Sequence, residues 1–191
     1  MPKRSLSFAR GILVVLGVFV ATAAAYAGVQ FGRGNFHEVV AGELYRSGQP
    51  RGGDIDRYVH DYGIKSVLNL RGANPDKRWY RDEMAAISRN GLAHADLALK
   101  ADRALDDETV SQLFALFASL PKPLLIHCDG GADRTGLASA LYLAWVKHAD
   151  EWSAELQLSI LYGHIGLPLT HGWAMSTTFE RLEPRLGYPN S

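Results

Sequence analysis

A lone thiol stands in surroundings that can make it a nucleophile. Cys128 is the single cysteine of the 191-residue chain, and Arg134 follows it across Asp129-Gly130-Gly131-Ala132-Asp133. By itself a cysteine reads as a small buried apolar residue. One thiol also forms neither an internal disulfide nor a cysteine-rich zinc site. The neighbours change this. Glycines at 130 and 131 let a loop take positive φ and let backbone N–H groups close on an anion with no Cβ in the way. The same N–H groups favour thiolate over thiol at Cys128. A thiolate beneath a bound phosphate can attack phosphorus in line and form a phosphocysteine. The planar Arg134 guanidinium can grip two phosphate oxygens and stabilise the charge that spreads over them in the transition state. Thr135 can give a hydroxyl proton to the sulfur as it leaves in the second step. His127 either orients the loop and lowers the Cys128 pKa or is a satisfied strand-end histidine.

A loop of this kind needs a strand to deliver it and a helix to open from it, because the helix N-terminus adds partial positive charge. Pro123-Leu124-Leu125-Ile126-His127 reads as a buried strand, and an apolar helix is predicted from Thr135 to about Lys147. Upstream, strands are expected over 43–47, 65–70 and 92–97. Helices are expected over 54–62 and 77–90, with stops at Gly63 and Gly91. Asp106 or Asp107 can cap a helix running to Leu120. Further helices are predicted over 150–162 and 171–186. Trp145, Trp152 and Trp173 are expected in the core or in an interface. Short strands alternating with amphipathic helices make a single α/β domain over residues 36–187, a central mixed or parallel sheet flanked by helices.

Hydrophobic residues make up 47% and charged residues 21%, enough apolar content for a packed core. Lys plus Arg equals Asp plus Glu at 20 each, so the basic footprint of a nucleic-acid binder is missing. Lys3, Arg4 and Arg10 precede an apolar run from Gly11 to Ala25 that ends in small residues. This is the pattern of a secretory signal over residues 1–27. Left uncleaved, residues 11–29 could span a bilayer as an anchor. Either way, the domain is expected outside the cytoplasm, in the cell envelope or periplasm. His148, His164 and His171 lack metal-ligand spacing and are expected in solvated or core roles. No metal or cofactor is called for.

The run His127-Cys128-x5-Arg134-Thr135 resembles the signature of the protein tyrosine and dual-specificity phosphatase superfamily. Residues 44–50 and 62–71 resemble the opening of small, atypical bacterial exported members. The resemblance implies a phosphatase-like fold and hydrolysis of phosphate monoesters. Phosphotyrosine is the first candidate, with dual specificity or a phosphoinositide or phospholipid as alternatives. The partner is then a phosphorylated protein or a small phosphate ester. Arg46 and Arg71 either line the cleft or are ordinary surface charges at strand ends.

In this superfamily the leaving oxygen usually receives its proton from an Asp on a mobile loop. Ala101-Asp102-Arg103 resembles that segment, which makes Asp102 the expected general acid. Asp106 and Asp107 are better explained by capping, and Asp96 by its place in a strand. Asp133 is the rival, since its Asp-Arg-Thr setting resembles that of myotubularin-like and Sac-like lipid phosphatases. Many small bacterial relatives carry Lys directly after the nucleophile, whereas this chain has Asp129. Two carboxylates and no Lys in the loop disfavour densely phosphorylated inositols. Two rivals from other classes remain: a rhodanese-like sulfurtransferase, and a pseudophosphatase that binds without turnover.

Overall fold

The computed structural model describes residues 32–188 and, nearer the N-terminus, residues 13–18, 21–22, 25–26 and 28–29. Those short N-terminal pieces are helical and exposed. The rest of the expected signal or anchor lies outside the described residues. Among the described residues, no helix is long and apolar enough to cross a membrane. From Gly34 onward the chain forms a separate compact unit.

Five strands make one mixed sheet in the order β1-β2-β5-β3-β4. β1 (His37–Val40) pairs antiparallel with β2 (Leu44–Ser47). β3 (Ser66–Asn69), β4 (Ala93–Asp96) and β5 (Leu124–His127) continue it in parallel. β1 went unpredicted, because His37-Glu38-Val39-Val40 has no clean alternation. In register, Ser47 and Asn69 both stand opposite His127, so three strands end level where the Cys128 loop begins. Sites in such sheets form outside the carboxyl ends of the parallel strands.

Side chains alternate across the sheet, as the two-residue repeat of a strand requires. Tyr45, Val67 and Leu125 pack with Ile55, Tyr58, Ala86 and Ile87 of α1 (Gly52–Tyr62) and α2 (Arg78–Asn90). Leu44, Leu68, Leu124 and Ile126 pack on the other side with α3 (Asp107–Ser119), α4 (Asp133–Trp145) and α6 (Trp173–Leu186). Gly63 and Gly91 stop α1 and α2 in the left-handed conformation, as expected. Asp106 caps α3 by accepting from the Thr109 N–H at 2.8 Å. α4 is buried along Thr135–Ala144, a central helix covered on every face.

Three expectations need correction. α4 opens at Asp133, two residues before the expected start. The helix expected over 150–162 is broken into α5 (Glu151–Glu155) and a single 3-10 turn, Ile160–Tyr162. At the break the Arg46 guanidinium donates to the Gln157 carbonyl and side chain, a long-range tie that a helical period in the sequence does not record. Of the two places expected for the tryptophans, the core is ruled out: Trp152 is 72% exposed, Trp173 is partly open, and Trp145 covers Phe114 from the solvent side.

Candidate active site

Cys128 follows directly on β5 and is 2% exposed at the floor of its loop. The Gly131 N–H donates to its sulfur at 3.3 Å. Gly131 sits at φ +71°, and a Cβ there would come within 2.5 Å of the Gly48 nitrogen. Gly130 differs from the sequence expectation. Its φ is not positive and a Cβ there would meet open space, so Gly131 alone has the need that was assigned to both glycines. The β2 end laces to the loop through Gln49 N–H, which donates to Asp129 O at 2.9 Å. The Asn35 amide donates to Gly130 O at 3.0 Å and to Tyr162 O at 2.9 Å.

Two arginines serve the loop from different sides. Arg134, on the first turn of α4, donates through Nη1 to Leu99 O at 3.3 Å. Its buried Nε has no hydrogen-bond partner among the described residues. Arg46 is completely buried beneath the loop. Its Nη2 donates to Gly131 O at 2.8 Å and its Nη1 to Gln157 O at 2.9 Å, while its plane lies 4.0 Å from the Tyr162 ring centre. Burial pulls the Arg46 pKa down to about 10, against the opposing pull of Tyr162 and Cys128, so it stays charged at neutral pH. Arg46 therefore neither lines the cleft nor lies on the surface: it holds the Gly131 and Ala132 carbonyls, while the Gly131 N–H is directed at the sulfur.

His127 is also fully buried, with Nε2 3.0 Å from Glu83 Oε1 on α2. The Gln49 amide donates to Glu83 Oε2 at 2.6 Å, and Arg71 Nη1 donates to Gln49 Oε1 at 2.7 Å. Arg71 in turn lies 3.2 Å from Asp129 Oδ1 and 3.7 Å over the Trp79 ring. A continuous chain thus runs from the residue before Cys128 to the loop's exposed rim. Burial pushes the Glu83 carboxyl up, but His127, Gln49 and His94 outweigh it and hold it below the usual carboxylate range. Glu83 and Gln49 were missed in the sequence. The available signal was a carboxylate on the face of a helix that also carries Ala86 and Ile87, where a charge must have a partner. Thr135 is buried, with its hydroxyl 3.5 Å from Ser47 O; among the described residues no bond joins it to the sulfur.

The sequence of residues 33–163 matches the family described as Swiss Army Knife protein, DSP-PTPase phosphatase domain (PTP-SAK). The chain belongs to this family. Solved structures share the fold. TpbA of P. aeruginosa is 24% identical, with a TM-score of 0.59 over 82% of this chain and 91% of that one. The catalytic domain of the PP-IP phosphatase SIW14 from S. cerevisiae, in complex with citrate, is 18% identical, with a TM-score of 0.59 over 81% and 93%. PTPMT1 is 15% identical, with a TM-score of 0.58 over 80% and 98%. No curated protein matches by sequence.

Within this DSP-PTPase domain the four carboxylates from the end of β4 to the start of α3 separate by their commitments. Asp96 accepts from Tyr80 at 2.6 Å and from Asn69 at 2.7 Å, at the end of β4. Asp106 caps α3, and Asp107 is paired with Arg181 and Arg185. Asp102 is exposed and makes no hydrogen bond or ion pair among the described residues. It stands three residues beyond Leu99, whose carbonyl Arg134 holds. Asp133 is tied, its Oδ1 2.7 Å from Nδ1 of the buried His164, whose Nε2 lies 2.9 Å from Ser176 Oγ. His164 is therefore a core histidine with a partner in the loop.

Proposed function

We propose that this phosphatase domain hydrolyses phosphate monoesters through a phosphocysteine on Cys128, with phosphotyrosine as its substrate class. The observation that carries the reading is the Gly131 N–H aimed at the buried Cys128 sulfur, with Arg134 Nε uncommitted in the same loop. The N–H groups of the loop stabilise the thiolate and the phosphate above it. The sulfur attacks phosphorus as the ester oxygen departs with a proton from Asp102, and water then releases phosphate and restores the thiolate. Arg134 binds the equatorial oxygens in both steps. Arg46 holds the loop carbonyls outward, and Glu83 positions His127 behind the nucleophile.

Phosphotyrosine is favoured because the loop is poor in cations: Asp129 and Asp133 are its only charged residues besides Arg134. A Cys-to-Ser variant of TpbA, which shares the fold, has been crystallised in complex with pTyr. An assay panel of phosphotyrosine peptide, phosphoserine peptide and a phosphoinositide tests the choice. Phosphotyrosine should turn over fastest, and preferential turnover of the phosphoinositide would overturn the assignment. The basic start and apolar run of residues 1–29 support export of the domain to the cell envelope. Recovery of the native protein in the cytosolic fraction would contradict that.

A further inference from the structure

From Ser159 to Trp173 the chain carries no Asp, Glu, Lys or Arg. Ile160, Ile165, Leu167 and Leu169 are 75%, 50%, 63% and 104% exposed, and Trp173 is partly open beside them. Single exposed apolar residues are ordinary, but a concentration of them in one uncharged segment marks a contact surface. The tip is stiff. Pro168 fixes its own φ, and the Thr170 hydroxyl lies 2.6 Å from Ile165 O and 2.7 Å from Leu167 O. Leu169 is held at φ +73°, a left-handed conformation that residues with a branched side chain rarely adopt. Strain that presents a fully exposed leucine to water gains nothing for the free domain and points to a use outside it.

The base of this segment is fastened to the catalytic loop. His164 bonds to Asp133 at 2.7 Å, and Asn35 donates to both Tyr162 O and Gly130 O. The apolar tip and the phosphate loop are therefore parts of one rigid assembly. We propose that residues 160–173 form a membrane-contact loop, which seats Leu167, Leu169 and their neighbours in the headgroup–acyl boundary of a lipid bilayer beside the catalytic mouth. Three features choose a bilayer over a protein partner. The segment has no charge to pair. Trp173 stands exposed at the end of the segment, and such an amphipathic ring favours the membrane interface. An apolar run ending near residue 29 precedes the domain by only a few residues; retained in a bilayer, it would tether the domain within roughly 20 Å of the lipid. The acidic residues nearby, Glu151, Glu155 and Glu180, stand on α5 and α6 rather than on the loop, which fits a zwitterionic surface. The docking is independent of the phosphatase reading, and the two can fail separately.

The full chain reconstituted in phosphatidylcholine vesicles with brominated acyl chains tests it. All four tryptophans, Trp79, Trp145, Trp152 and Trp173, lie outside the N-terminal run, so their fluorescence reports the domain alone. Bromolipid should quench the wild type. Trp173→Phe should remove most of that quenching, and Leu167→Asp with Leu169→Asp should reduce it severalfold while soluble aryl phosphate hydrolysis is unchanged. Wild-type fluorescence that bromolipid leaves untouched, or equal quenching in the Asp variant, would overturn the proposal. Self-association of the wild type that the Asp variant loses, without quenching, would give the face to a second copy instead.

Discussion

Arg46 and Arg134 carry the same side chain to opposite purposes. Both leave Nε without a partner among the described residues, but Arg134 commits only Nη1, to Leu99 O, whereas Arg46 spends Nη1 and Nη2 on backbone and Gln157 oxygens of the loop and its neighbour. Removing Arg46 would leave several buried carbonyls without a donor, each at a cost of about 1–3 kcal/mol. The proposed acid rests on commitment: Asp102 has no partner among the described residues and Asp133 is bound to His164. A proton donor matters in proportion to how badly the leaving group needs the proton. Asp102→Asn should slow phosphotyrosine hydrolysis by about 10²–10⁴-fold and hydrolysis of activated aryl phosphates far less. Steady-state rates on both substrates check this, and an unchanged ratio would return the role to Asp133.

The loop between β5 and α4 depends on one backbone conformation and one tie from α2. Gly131→Ala would force a Cβ onto the Gly48 nitrogen from a left-handed φ, while Gly130→Ala meets open space. Alanine at 131 should cost kcat/KM at least about tenfold, since small misplacements at a reacting centre are expensive. Alanine at 130 should leave it near wild type. The α2 tie is pH-dependent. Glu83 titrates below its unfolded value, so its contribution to stability is complete above the ordinary carboxylate pKa, about 4.3, and is lost as pH falls through the lower folded value. Urea midpoints for wild type and Glu83→Gln should therefore differ at pH 7 and converge once pH has fallen below the folded Glu83 value. The strand, loop and helix that carry Cys128 and Arg134 were legible, because glycine stops and an apolar run mark them locally. Arg46, Glu83 and the break after α5 were not. Each depends on a partner far along the chain, and periodicity records only which face a residue takes.

The molecule brings three strand ends level and places a buried thiol where they meet, with helices covering both faces of the sheet. Around that floor, the β1–β2 edge, α2 and the segment after α5 each send one polar group to the loop: Asn35, Glu83 through His127, and Gln157 through Arg46. The central claim is that this arrangement makes Cys128 a covalent carrier of phosphate. Rapid acid quench of the protein during turnover of an aryl phosphate, followed by peptide mass spectrometry, tests it most directly. The account predicts a phosphate on the Cys128 peptide that is absent in Cys128→Ser, with hydrolysis abolished in that variant. Undiminished hydrolysis by Cys128→Ser would contradict it.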